Sequence, residues 1–112
     1  YDAKKKALEL VAGYAPPVQR DDIRLAGPSG KYALQMAVAD LRKSGKASPY
    51  DVVVCESLAR VLSGGDKGDW TNPMKEDDIL KLERDEFMKL ARNPETLARI
   101  EHMLDTGKPL RN

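Results

Sequence analysis

The sequence predicts an all-α protein of about five short helices, and three observations predict it. Apolar residues recur at helical spacing in five separate stretches. Glycines stand where four of those stretches stop, at Gly13, Gly45, Gly64-Gly65 and Gly107. Two of them open on the signature of a helix N-terminus, a capping side chain followed by proline and an acid, at Ser48-Pro49-Tyr50-Asp51 and Asn93-Pro94-Glu95. The only alternating apolar pair outside the helical stretches is the weak one of Ile23 and Leu25.

The first helix is expected over Ala3 to Ala12, capped by Asp2, with Ala7, Leu8, Leu10 and Val11 as its apolar stripe. Tyr14 to Gly30 breaks the period. Pro16-Pro17 forbids helix and Gly27-Pro28-Ser29-Gly30 is turn chemistry, so the segment reads as extended and as lying on another surface. Lys31 to Ser44 is the second helix, with Tyr32, Met36 and Ala39, or Ala33, Ala37 and Leu41, on a face. Its alanines predict a close helical neighbour. The third runs from Pro49 to about Ser63: the Val52-Val53-Val54 run has strand propensity, but the cap and the continuation Leu58, Val61, Leu62 favour helix. A polar loop follows, in which Trp70 is the one large side chain and is expected to cover apolar surface. Helices four, Lys75 to Arg92, and five, Pro94 to Thr106, form a pair joined by almost no loop. The chain reads as a single unit, 1–112, with a helix plus an extended segment to residue 30 and four helices from 31 onward.

A chain of this length can bury about 60 to 70 per cent of its unfolded surface in one modest core. With 19 Lys+Arg against 18 Asp+Glu, the net charge of +1 selects neither nucleic acid nor an anionic membrane. Arg42, Lys43 and Lys46 are too few to make a phosphate-binding stripe. No apolar run reaches the ~20 residues of a membrane span, and Tyr1 to Lys6 lacks the apolar core of a signal peptide, so a cytoplasmic protein is expected. The absence of an initiator Met is consistent with Tyr1 lying inside a longer polypeptide. Cys55, the single cysteine, sits after three valines and is expected to be buried and protonated.

Candidate chemistry is sparse. Glu83 falls on the face of Leu80, Phe87 and Leu90; such a carboxylate either acquires a raised pKa for proton transfer or pairs with a neighbouring arginine or caps another helix, and the structural role is the preferred reading. His102, the one histidine, lies off the Leu97, Ile100, Leu104 stripe of helix five and reads as a partly exposed surface residue. Asp21-Asp22 has no further oxygen ligands at loop spacing, so no metal site is expected. Gly64-Gly65-Asp66-Lys67-Gly68 and Gly27-Pro28-Ser29-Gly30-Lys31 are the places where backbone could approach a phosphate, but neither has the spacing of a phosphate loop or a dinucleotide fingerprint. Lys108 and Arg111 end the chain in a short basic tail. They read either as phosphate contacts or as solvated cations near a helix C-terminus.

The function comes from what the chain resembles. Tyr1-Asp2-Ala3-Lys4, Leu8-Glu9-Leu10, Gly13-Tyr14 with Pro16-Pro17-Val18, Gly27-Pro28-Ser29-Gly30, Leu82-Glu83-Arg84-Asp85-Glu86-Phe87 and, most specifically, Arg99-Ile100-Glu101-His102-Met103-Leu104 with Gly107-Lys108-Pro109-Leu110-Arg111-Asn112 carry the likeness. Together they resemble the C-terminal part of bacterial 3-hydroxyacyl-CoA dehydrogenases that are fused to an enoyl-CoA hydratase/isomerase (crotonase) domain. The resemblance implies a parent acting in fatty-acid β-oxidation: one half hydrates a trans-2-enoyl-CoA, and the other oxidises the 3-hydroxyacyl-CoA with NAD. It places the catalytic core and the NAD site before Tyr1, so these residues are expected to supply no catalytic, cofactor-binding or metal-binding group.

The resemblance further implies a helical tail that covers the active-site mouth and helps assemble subunits. Phe87 matches an aromatic lining the acyl side of the pocket, and Lys108 matches a basic residue near the CoA end. Met103 stands where simple crotonases have a further aromatic, and Gly30 to Gly64 has no counterpart in them. The implied partners are acyl-CoA, the rest of the same polypeptide, and either further copies or a thiolase. The alternative is a stand-alone helical interaction module, with Tyr32, Met36 and Val52 to Val54 lining a groove for a partner helix.

Overall fold

The computed structural model describes all 112 residues as five α-helices with no strand: α1 (Asp2–Ala12), α2 (Pro28–Lys43), α3 (Pro49–Ser63), α4 (Glu76–Ala91) and α5 (Pro94–Thr106), with one short 3₁₀ turn at Gly65–Lys67. The all-α class is as the sequence predicts.

The strongest local signals act as expected. At the start of α3, the Ser48 N–H donates to Asp51 Oδ2 at 2.8 Å and the Asp51 N–H donates to Ser48 Oγ at 3.4 Å, a complete capping box with Pro49 in the first turn. Asn93 Oδ1 accepts from the Glu95 N–H at 3.0 Å to open α5. Gly64 and Gly107 close α3 and α5 in the left-handed conformation, at φ 83° and 69°. Two starts differ from expectation. Asp2 is the first residue of α1 rather than its cap, and no side chain caps that helix. Helix two begins at Pro28, not Lys31, because proline is preorganised for the first turn and the Gly27 N–H is satisfied elsewhere, by Ser63 O at 2.8 Å.

That hydrogen bond marks the tightest point of the fold. A Cβ on Gly27 would lie 2.0 Å from Gly68 O, and one on Gly68 would lie 2.0 Å from Ser63 O. Three backbone segments therefore touch where α2 begins, α3 ends and the loop to α4 turns. The extended segment does lie on another surface: Ile23 and Met74 exchange N–H···O bonds at 3.2 and 2.7 Å, the Glu76 N–H donates to Arg20 O at 2.8 Å, and Gln19 Nε2 donates to Asp77 Oδ1 at 2.9 Å. It thus crosses the start of α4.

Helix α2 packs most extensively on α3, and α3 in turn on α4. Cys55 is half-buried on α3 rather than fully covered. Trp70 is 63 % exposed and covers no core; its loop is held instead through the backbone, with the Arg24 guanidinium donating to Trp70 O at 2.9 Å and Thr71 O at 3.4 Å.

The molecule leaves much of its apolar surface uncovered. Ala47, Tyr50, Ala59 and Met74 are its only buried apolar side chains, while Leu97, Ile100 and Leu104 of α5 and Tyr32 and Met36 of α2 are exposed. The accessible surface is 8686 Å² and the radius of gyration 19.1 Å. A compact monomer of this size would show about 6,100 Å² and about 13 Å. Packed pairs of helices form, but no closed core encloses them.

Candidate functional site

Phe87, singled out in the sequence, lines an apolar depression that the helices build. Leu58, Val61 and Leu62 of α3 face Phe87 and Leu90 of α4 across a half-open groove of about 320 Å³, with Ser57, Glu83 and Glu86 completing its wall. Helical spacing produces it. Leu58 and Leu62 are one turn apart on α3, and Glu83, Phe87 and Leu90 follow at i, i+4 and i+7 on α4. The Phe87 ring is 60 % exposed, so Phe87→Ala should lower folding stability by less than about 1 kcal/mol, against roughly 3 to 5 for a buried ring. Urea denaturation in dilute solution measures this, and a loss above about 3 kcal/mol would show the ring covered.

Beside the groove lies the buried carboxylate of the domain, and it is Glu86, not Glu83. The covered face of α4 runs through Ile79, Leu82, Glu86 and Leu90, one residue round from the expected Leu80, Glu83, Phe87 stripe, so Glu83 is exposed. Glu86 is 5 % exposed and accepts from Lys89 Nζ at 2.8 Å and Arg60 Nη1 at 3.3 Å. Burial pushes its pKa up, but the Lys89 ammonium, the Ser57 hydroxyl and the Arg60 guanidinium outweigh burial and leave it below the ordinary carboxylate range. A carboxylate held ionised in this way accepts hydrogen bonds and anchors α4 to α3; it is poorly suited to carry protons at neutral pH. The Glu86 and Lys89 pair at i, i+3 was legible in the sequence, while Arg60, 26 residues away, was not.

Lys108 is exposed, follows the Gly107 cap of α5, and does not line the groove. Its backbone N–H donates to Thr106 Oγ1 at 3.1 Å. The rest of the tail is tied down. Arg111 Nη2 donates to Gly45 O and Lys46 O at 3.3 and 3.4 Å, and Asn112 Nδ2 donates to Glu95 O and Glu95 Oε2 at 3.0 and 2.8 Å. The Tyr50 N–H donates to Asn112 O at 3.0 Å, and the Tyr50 and Thr96 hydroxyls bond at 2.5 Å.

Arg99 is the hub of this clamp. It donates to Asn112 Oδ1 at 2.6 Å, Asp51 Oδ1 at 2.9 Å and Ser48 Oγ at 3.3 Å, and its guanidinium lies 4.9 Å from the centre of the Tyr50 ring. The Ser48 N–H above all, then the Ser48 hydroxyl and Arg99, hold Asp51 below the ordinary carboxylate range. Neither Arg99 nor Asn112 stood out as a centre from spacing, because their partners come from α3 and α5 together.

The other sequence candidates are separate. His102 is half-buried on α5, and Thr106 Oγ1 donates to its carbonyl at 2.7 Å. Asp22 pairs with Arg20 at 3.0 Å, and no three His, Cys, Asp or Glu side chains converge as a metal site would require. The glycines at 27 and 68 are filled by each other's backbone, and the Cβ position of Gly30 by Ala26, so these residues do not form a dinucleotide cradle. Tyr32 and Met36 do not line the apolar groove, which α3 and α4 form without α2. No helix is long and apolar enough to cross a membrane.

With the geometry in place, comparison with known proteins gives one informative relative. Over 113 aligned residues the chain is 36% identical to a protein of Bacillus subtilis (strain 168) described as a probable 3-hydroxyacyl-CoA dehydrogenase. The match takes in 100% of this chain and 14% of that protein, so the chain spans a small part of its relative's length. No family model matches the sequence. No solved structure matches it either. The chain is thus similar, from end to end, to one portion of a much larger protein described as a probable dehydrogenase.

Proposed function

We propose that this chain is the C-terminal helical lid and assembly segment of a fatty-acid β-oxidation enzyme. The carrying observation is the similarity of the entire chain to 14% of a probable 3-hydroxyacyl-CoA dehydrogenase. The physical state of the chain supports it: α3 and α5 are well capped, yet apolar faces of the helices remain open, as in a segment that completes its packing on a larger body.

In this reading the parent, a cytoplasmic enzyme, combines an NAD-dependent 3-hydroxyacyl-CoA dehydrogenase half with a crotonase-type enoyl-CoA hydratase. NAD would be held by the dehydrogenase half, since the residues here do not fit it. Phe87 would supply an apolar wall beside the acyl chain, and Lys108 a cation near the CoA end. Their different surroundings suit those two tasks, an apolar groove for one and an exposed tail for the other. Further copies or a thiolase would complete the assembly. Glu86 and Arg99 would fix α4 and the tail in position without touching substrate.

The test removes the matching segment from the Bacillus subtilis relative. The truncated enzyme is expected to lose NAD-linked 3-hydroxyacyl-CoA oxidation at low substrate concentration, and this chain, added in trans, to bind it and restore part of that activity. Unchanged kcat and KM after truncation, with no binding in trans, would overturn the reading.

The apolar groove keeps a second reading open, that of a helical interaction module receiving a partner helix. Its groove would be the one between α3 and α4 rather than one lined by Tyr32 and Met36. Normal function of the truncated relative together with helix-peptide binding to the isolated chain would favour it.

A further inference from the structure

Helix α5 is attached to the rest of the chain by its polar side. Thr96, Arg99 and His102 are half-buried along it, while the apolar stripe of Leu97, Ile100 and Leu104 is exposed. An amphipathic surface helix normally does the reverse. The α5 backbone comes close to α4 at few points and to α3 at hardly any, and no residue of the helix is buried. Hydrogen bonds make the bridge to α3: Arg99 donates to Asp51 and Ser48, the Thr96 and Tyr50 hydroxyls meet, and the Tyr50 N–H donates to Asn112 O of the tail. Arg111 adds two more to the loop between α2 and α3.

Bonds of this kind are exchanged for bonds to water when they break, so the net hold of each is modest. The apolar surface that opposes separation is mainly the Tyr50 ring, which is 5% exposed and lies 4.9 Å from the Arg99 guanidinium. The joint to α4 is short. Arg92 and Asn93 link the two helices, and their backbone hydrogen bonds run only to Met88 O and Leu90 O behind them and from Thr96 and Leu97 ahead. Turning about these two residues leaves α2 on α3, α3 on α4 and the Glu86 contacts with Arg60 and Lys89 in place.

We propose that α5 and the tail form a latched flap, held closed by the hydrogen bonds of Arg99, Thr96 and Asn112 and opening about Arg92-Asn93 while α2, α3 and α4 stay packed. The tail travels with the helix, because the Asn112 side chain is bonded to Glu95 and Arg99 of α5. Once open, α5 is an unpacked helix of 13 residues, marginal in water, so its amides lose protection in that state. The flap gives the lid its moving part and rests on the lid reading for what the motion serves. Hydrogen exchange reads the motion on this chain alone, so flap and lid can fail separately.

Native-state hydrogen exchange on the 112-residue chain tests the flap. The amides of Ile100 to Leu104 are expected to be about tenfold or more less protected than the central amides of α3. Arg99→Ala should lower the protection of α5 by a further factor of about ten or more. Ala59→Gly acts on α3, where Ala59 is 2% exposed, and should speed exchange in α3 while leaving α5 unchanged, because α5 opens without α3. Equal protection of the two helices would overturn the proposal, as would a matching response of both to Ala59→Gly or α5 amides indifferent to Arg99→Ala.

Discussion

Gly68→Ala is expected to cost about 3 kcal/mol or more, although it adds one methyl group to a loop. Backbone strain plays no part, because Gly68 has φ −64° and ψ 130°, which any residue adopts. The cost is steric: the new Cβ would lie 2.0 Å from Ser63 O and 2.9 Å from Gly27 Cα, and both obstacles are backbone, which cannot rotate aside as a side chain can. The same Ser63 O accepts the 2.8 Å bond from the Gly27 N–H that fixes the start of α2 against the end of α3. Relieving the clash therefore opens the junction of two helices. A urea midpoint equal to that of the unaltered chain would show that the loop shifts freely and that this contact does not hold the fold.

Arg99→Ala carries the second large effect, a loss of about 2 to 3 kcal/mol, or roughly 10 °C in Tm for a domain of this size. The guanidinium side chain is 25% exposed and donates to Asp51, Ser48 and Asn112, so truncation strands a carboxylate and releases the tail from α3. Arg99→Lys should recover only part of the loss, because an ammonium cannot reproduce the planar fork.

The same cluster sets a pH dependence. The folded pKa of Asp51 is depressed below 3.8, the ordinary value for an aspartate, so its stabilisation is present above that value and is lost as pH falls through the folded pKa. Glu86, depressed below 4.5, acts in the same direction. Acid unfolding monitored by circular dichroism should thus begin below about pH 4.5 and be shallower in Asp51→Asn. An equal acid sensitivity in that variant would exclude Asp51 as a contributor.

The helices were legible in the sequence because their determinants are local. Ser48, Pro49 and Asp51 act within one turn, as do Asn93, Pro94 and Glu95, and Gly64 and Gly107 terminate helices through their own φ. These features fixed α3 and α5 nearly to the residue. The Phe87 groove was partly legible: spacing placed Phe87 with Leu90 on α4, but the opposite wall is α3, and sequence has no access to that pairing.

The misreadings share one cause. Glu83 and Glu86 differ by less than one helical turn, so which one is buried depends on how α4 is rotated against α3, and Arg60 decides that from a different helix. Trp70 seemed a natural cover for apolar surface, yet its loop is fixed by backbone carbonyls meeting Arg24, a contact across 46 residues.

The sequence by itself therefore determined the all-α class and the ends of α3 and α5, since each depends on residues within a turn or two of one another. Only the tertiary structure decided the backbone junction of Gly27, Ser63 and Gly68, the Arg99 clamp on the tail, the burial of Glu86 and the open state of the apolar faces. Those features join elements far apart in the chain, and their energies depend on relative helix rotation and on surface left uncovered, neither of which local spacing encodes.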